Sequence, residues 1–198
     1  MSDRFWIGAD PGGSNAFGLA WLYESGETRT ACVSSADEAV ALIDQRPLAA
    51  GVDAPLWWSS GRSSDRRADQ WIRKAYRIGS GTVQAANSLR GAALVQGAMF
   101  VARLRERFAD LPVTEAHPKA TAVALGGWSS QNVLKLLPAW QGVEHERDAI
   151  FAAIAAREGF SGRWSRDLSL DRHEAEQNPG TYWLSPIHYY WPSDSGGA

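Results

Sequence analysis

Asp10-Pro11-Gly12-Gly13-Ser14-Asn15 separates two short apolar runs, Phe5-Trp6-Ile7-Gly8-Ala9 before it and Ala16-Phe17-Gly18-Leu19-Ala20-Trp21-Leu22 after it. Both runs have the length, the aromatic and aliphatic content and the bounding turn residues of strands. Proline fixes φ and glycine permits φ > 0, so the segment between them reads as a hairpin. Asp10 then stands at the C-terminal end of a strand, beside exposed backbone N–H groups. An acid there can hold a divalent cation, and such a loop can approach a phosphate, with Ser14 and Asn15 as candidate contacts. The same residues are also ordinary turn chemistry, so the rest of the chain decides their weight.

Outward from the hairpin, Glu24-Ser25-Gly26-Glu27 is a second turn and Thr28–Ser34 a third strand. Ser35 and Glu38 form a capping box for a helix expected to run to about Gln45. Leu48–Pro55 follows as a short buried strand ending in Asp53 and a proline. A helical crossover places this fourth strand parallel to a neighbour. If the neighbour is the first strand, Asp10 and Asp53 share one edge, where open α/β sheets bind their ligands. Residues 56–86 read as an insertion: a tryptophan-bearing loop, then a basic helix from about Ser64 carrying Arg62, Arg66, Arg67, Arg73, Lys74 and Arg77 at or near it, then a Gly/Ser/Thr-rich stretch. Such a charge run is either a solvated amphipathic helix or a flap that grips phosphates. A long helix over about Ser88–Ala109 leads to a fifth strand, Val113–Pro118, which contains Glu115 and His117. Short helices are expected over Thr121–Trp128 and Asn132–Leu137, and an Ala-rich helix that can pack closely on the sheet carries Asp148 in its first turns and ends near Gly159. Beyond residue 160 the aromatics should fold back on the body, and the last six residues should lack order.

Composition narrows the class. A chain of 198 residues with 44% hydrophobic content suits one substantial core. With a single cysteine, no leader-like segment and no long apolar run, the expectation is a cytoplasmic chain without a membrane partner. A net charge of −2 argues against a generic nucleic-acid-coating protein, though not against an enzyme whose acidic site offsets a basic surface. The cations are 17 Arg and 3 Lys, a skew that suits bidentate phosphate contacts or reflects genome composition.

Four acids therefore occupy comparable places: Asp10, Asp53, Glu115 and Asp148. Clustered carboxylates repel unless cations neutralise them, and hard oxygen donors favour Mg²⁺ or Mn²⁺. Two such ions about 4 Å apart can stabilise the attacking and leaving oxygens of a phosphodiester.

The element order resembles the ribonuclease H-like fold. The strings Gly8-Ala9-Asp10, Gly51-Val52-Asp53-Ala54-Pro55, Arg62-Ser63-Ser64-Asp65, Glu115-Ala116-His117-Pro118 and His145-Glu146-Arg147-Asp148-Ala149 are similar to a bacterial and archaeal family of predicted nucleases with that fold. The late His-x-x-Asp-Ala step is also similar to the final acidic helix of Holliday-junction resolvases. The resemblance covers about residues 5–157 and implies an α/β, five-stranded mixed sheet of order 3-2-1-4-5 flanked by helices. It divides the chain into a ribonuclease H-like domain over 1–159 and an aromatic, loop-rich extension over 160–198. It implies a two-metal nuclease in which Asp10 bridges two ions, Asp53 and Glu115 hold one and Asp148 the other. His117 would orient Glu115 or assist the leaving group, and His145 would aid proton transfer. Arg62 and Arg66 would contact the scissile phosphate, and Asp65 would be a further ligand or an arginine partner. Nucleic acid is the implied partner, with a homodimer left as an option.

Two other classes compete. One is a non-catalytic scaffold or nucleic-acid-binding protein of the same fold. The other is an ATP-binding phosphoryl enzyme of the actin or sugar-kinase kind, whose phosphate loop also follows a strand and an Asp. That architecture needs two such domains, and this length holds one.

Overall fold

A computed structural model of the protein describes residues 4–60, 65–84, 91–137, 140 and 142–192. Arg62, the expected start of the long helix at Ser88 and the last six residues lie outside the described residues. Five strands, β1 (Phe5–Asp10), β2 (Phe17–Tyr23), β3 (Thr28–Val33), β4 (Ala50–Val52) and β5 (Val113–Glu115), form one mixed sheet in the order β3-β2-β1-β4-β5. The hairpins pair β1 with β2 and β2 with β3 antiparallel; β4 runs parallel to β1, and β5 parallel to β4. This is the expected α/β architecture and strand order, and it is compatible with a ribonuclease H-like arrangement.

Alternation along the strands sorts the side chains onto two faces. Phe5, Ile7, Ala9, Phe17, Leu19, Val52 and Val113 point to one face and pack with α1 (Ala36–Ala41) and α3 (Gly91–Arg107). Ala20 and Leu22 point to the other and pack with α6 (Glu144–Phe160). On that second face, adjacent strands present Gly18, Gly8 and Gly51. A Cβ on Gly8 would lie 1.8 Å from the Ala149 carbonyl oxygen, on Gly51 1.9 Å from that of Ala152, and on Gly18 2.0 Å from that of His145. A row of missing side chains thus lets the Ala-rich helix lie directly on the sheet.

The remaining elements are α2 (Arg67–Tyr76), α4 (Pro118–Ala124), α5 (Gln131–Leu136) and a two-stranded ribbon of β6 (Arg166–Asp167) and β7 (Tyr190–Trp191). Ser35 caps α1 by accepting from the Glu38 amide, as the capping box predicts. The helix is shorter than expected: after Ala41 the amide of Ile43 bonds back only three residues, to Val40, and the buried Ile43 leaves the helical path. α4 starts earlier than expected because Pro118, lacking an N–H, fits the first helical turn. It ends before Gly126 and Gly127, whose φ angles are +98° and +94°.

The C-terminal extension completes the core. Trp164, Leu168, Leu184, Ile187, Tyr189 and Trp191 are all buried. His188 lies parallel to Thr114, exchanging backbone hydrogen bonds with Val113 and Glu115 and so covering the edge of β5. Among the described residues, no helix is long and apolar enough to cross a membrane.

Candidate functional site

Register explains which acids meet. Ala9 pairs with Val52 across the parallel β1–β4 ladder, and the Asp53 amide donates to the Ala9 carbonyl at 2.8 Å, so Asp10 and Asp53 leave adjacent strands in step. Both follow the parity of Gly8 and Gly51 and therefore face α6. Asp148 comes down from the second turn of that helix, with His145 one turn earlier on the same side. His145 Nδ1 lies 2.6 Å from Asp10 Oδ2. An ionised Asp10 can only accept, so the imidazole donates there and its Nε2 remains for a proton.

Beyond burial, Asp148 raises Asp10, and Asp10 and Asp148 together raise Asp53. Burial first, then the partial opposition of His145, then Asp148, set the Asp10 carboxyl at about 6. Burial followed by the charges of Asp10 and Asp148 pushes Asp53 well above the usual carboxylate range. Burial also raises Asp148, against two hydrogen bonds from Arg147 at 2.7 and 2.9 Å. Arg147 is fixed in turn by stacking 4.0 Å over the Trp128 ring. Lys119, from α4, stands 2.6 Å from Glu144 and 3.9 Å from Asp148.

Glu115 is not part of this group. It pairs with Val52, one residue short of Asp53, and alternation sends it to the opposite face. There it is buried and accepts from Arg66 at 2.5 and 2.7 Å and from the Leu56 amide at 2.9 Å. The same guanidinium donates to Asp69 at 2.8 and 2.9 Å and lies 4.2 Å over the Trp57 ring. Burial pushes the Glu115 carboxyl up, and Arg66 draws it back.

Arg66, expected at the phosphate, is thus enclosed with its donors spent on two carboxylates. The basic run itself forms an amphipathic helix, the first of its two readings. Trp71 and Tyr76 turn inward onto Trp191, at 6.2 and 5.8 Å, and Arg73 binds Asp65 and the Val83 carbonyl. Amphipathicity explains this outcome: Ala68, Asp69 and Ile72 form the buried face of α2, and Arg67, Lys74 and Arg77 remain exposed.

His117 sits between the two clusters. Its Nδ1 is 3.9 Å from Asp53 Oδ1, and burial lowers the imidazole to about 4, so it is neutral at physiological pH. A small cavity beside it is lined by Asp53, Arg66, Asp69, Glu115 and His117. Ser14 and Asn15 are exposed at the hairpin tip; Asn15 adopts φ +54° and is tied to Ser34 through its amide and its side chain.

Sequence reasoning missed Lys119 and Arg147. The signal for Lys119 was Pro118, which starts a helix immediately after β5 and so keeps the next residue at the sheet's C-terminal edge. Among the described residues, no three His, Cys, Asp or Glu side chains form a ready-made metal cage. What the site offers is a pair of hard oxygen donors at adjacent strand ends, with a third acid already held by Arg147. That donor set fits a hydrated cation such as Mg²⁺, which takes one or two carboxylates and fills its other positions with water and phosphate oxygens.

No curated protein and no solved structure matches the chain. Residues 8–179 match a family model described as a protein of unknown function, DUF429, a span that holds all of the acids described above. The chain belongs to the DUF429 family.

Proposed function

We propose that the protein is a divalent-cation-dependent hydrolase of phosphodiesters, acting on nucleic acid at Asp10, Asp53 and Asp148. The observation that carries this reading is the placement of two carboxylates, Asp10 and Asp53, in step at the ends of adjacent parallel strands, with the charge of Asp148 from α6 raising both. Burying like charges together costs stability unless a cation or a proton joins them, so such an arrangement points to chemistry.

A bound Mg²⁺ or Mn²⁺ would polarise a phosphoryl oxygen and favour ionisation of water. Asp10 and Asp53 would hold it. His145 orients Asp10 through Nδ1 and is placed to take the proton that the attacking water loses. Water adds to phosphorus, the bond to the leaving oxygen breaks, and that oxygen takes a proton from solvent. The products are a phosphomonoester and an alcohol. His117, neutral beside Asp53, favours the position of that carboxylate without adding charge.

The test is cleavage of single-stranded and branched DNA and RNA with Mn²⁺, comparing wild type with Asp10→Asn and Asp53→Asn. Metal-dependent cleavage lost in both folded variants is the expected result. Cleavage that survives both substitutions, or no cleavage of any of these substrates, would remove the nuclease reading.

A further inference from the structure

The expected fourth acid is missing from the cluster, and a cation stands at the edge instead. Glu115 ends β5 but faces the other side of the sheet and is neutralised by Arg66. Four residues later, after the turn into α4, the same connection brings Lys119 to the acid side. Its Nζ reaches Glu144 at 2.6 Å and approaches Asp148 at 3.9 Å, and its charge also acts on Asp10 and Asp53. Asp148 already accepts two hydrogen bonds from Arg147. Arg147 and Lys119 therefore answer Asp148, whereas Asp10 is met by the His145 imidazole at 2.6 Å and Asp53 by the His117 imidazole at 3.9 Å, and among the described residues neither carboxylate has an ammonium or guanidinium bonded to it. That remaining charge suits one divalent ion; a second would meet Lys119 and Arg147.

We propose that this site takes a single divalent cation between Asp10 and Asp53, and that Lys119 replaces the second ion as the positive contact for the substrate's phosphate. The inference rests on the cation-dependent reading above and narrows it. Lys119 suits the role: its side chain is half exposed, and its anchor Glu144 is exposed as well, so the ammonium can exchange a surface carboxylate for a phosphate oxygen. An ammonium is a compact point charge with rotatable donors, able to follow the phosphate as its geometry changes.

The test uses the full chain and two probes, Mn²⁺ and inorganic phosphate. Mn²⁺ binding is measured by the loss of free-ion paramagnetic signal for wild type, Lys119→Met and Lys119→Arg. Wild type is expected to take one ion per chain. Lys119→Met should bind Mn²⁺ on the order of tenfold more tightly, because a neighbouring positive charge is gone. At saturating Mn²⁺ the same variant should bind phosphate on the order of tenfold more weakly. Lys119→Arg should keep both affinities near wild type. A merely structural lysine would not move the two affinities in opposite directions, and thermal unfolding without metal checks that each variant is folded. Two ions per wild-type chain, or affinities that stay fixed or fall together in Lys119→Met, would overturn the single-ion inference alone. No Mn²⁺ uptake by wild type at millimolar metal would overturn the cation-dependent reading with it.

Discussion

Two groups of acids meet at one edge of the sheet, on opposite faces, and they have opposite electrostatic designs. On the α3 face, Glu115 and Asp69 enclose Arg66, every oxygen of the two carboxylates accepts a hydrogen bond, and a tryptophan covers the guanidinium. On the α6 face, Asp10 and Asp148 press on Asp53, and among the described residues only Asp148 accepts a hydrogen bond from an arginine. Removing charge from water costs several kcal/mol per ion, and only close pairing offsets it. The first group meets that condition and ties the insertion to the sheet. The second does not, and the excess charge is the property that a cation or a proton would relieve. Acidity alone distinguishes nothing here; compensation does.

The largest expected effect comes from breaking the compensated group. Arg66→Ala leaves two carboxylates buried without a partner and should cost about 3–5 kcal/mol, read from the denaturant midpoint. A change near zero would mean that the buried triad does not secure α2. The next effect belongs to the uncompensated group. Mn²⁺ at about 100 times its dissociation constant should stabilise wild type by roughly 2.7 kcal/mol, and Asp53→Asn should show no such shift in thermal unfolding. A full shift in the variant would place the cation elsewhere.

A pH series sharpens the contrast further. Asp10 has a folded pKa of about 6 against 3.8 when unfolded, so its protonated form is favoured by folding. Its contribution is fully present below about pH 4 and is lost as pH rises through about 6. Without metal, the stability of wild type relative to Asp10→Asn should therefore fall across that window, by on the order of 2 kcal/mol. The neighbours whose charges act on Asp10 are His145, Asp148 and Lys119. A flat difference from pH 4 to 7 would show that the carboxyl is not perturbed. The smallest effect is expected at Arg147→Met, which removes the guanidinium hydrogen-bonded to Asp148 and its stacking on Trp128. About 1 kcal/mol should be lost, with the acid group left more strongly charged. A larger loss would show that Asp148 also depends on compensation for stability.

Much of this arrangement could be read before any coordinates. Two hairpins followed by a helical crossover make β4 parallel to a neighbour, and with β1 as that neighbour Asp10 and Asp53 come together whatever the side-chain detail. The Ala-rich helix carrying Asp148 announced a close approach, and the glycines at positions 8, 18 and 51 held the other half of that signal, unused. The insertion helix stayed open between two readings for a definite reason. A run of arginines looks the same whether it faces phosphate or turns one member inward to buried acids; the partners of Arg66 lie three and 49 residues away in sequence. The Trp and Tyr residues of that helix were equally ambiguous until β7 supplied Trp191 as their packing surface.

The sequence by itself determined the strands, the two hairpins, the parallel crossovers and the presence of acids at three strand ends, and the resemblance to the ribonuclease H-like fold supplied the strand order. The strands, hairpins and crossovers follow from hydrophobic period, turn chemistry and the handedness of connections, all of them local or nearly so. Only the tertiary structure decided which acids share a face. In a strand the side chains alternate with period two, and a single residue of register separates Glu115 from the line of Asp10 and Asp53. That one-residue offset, invisible in a list of strand-end acids, turns one carboxylate into a buried partner of Arg66 and leaves Lys119 in the place where a fourth acid was expected.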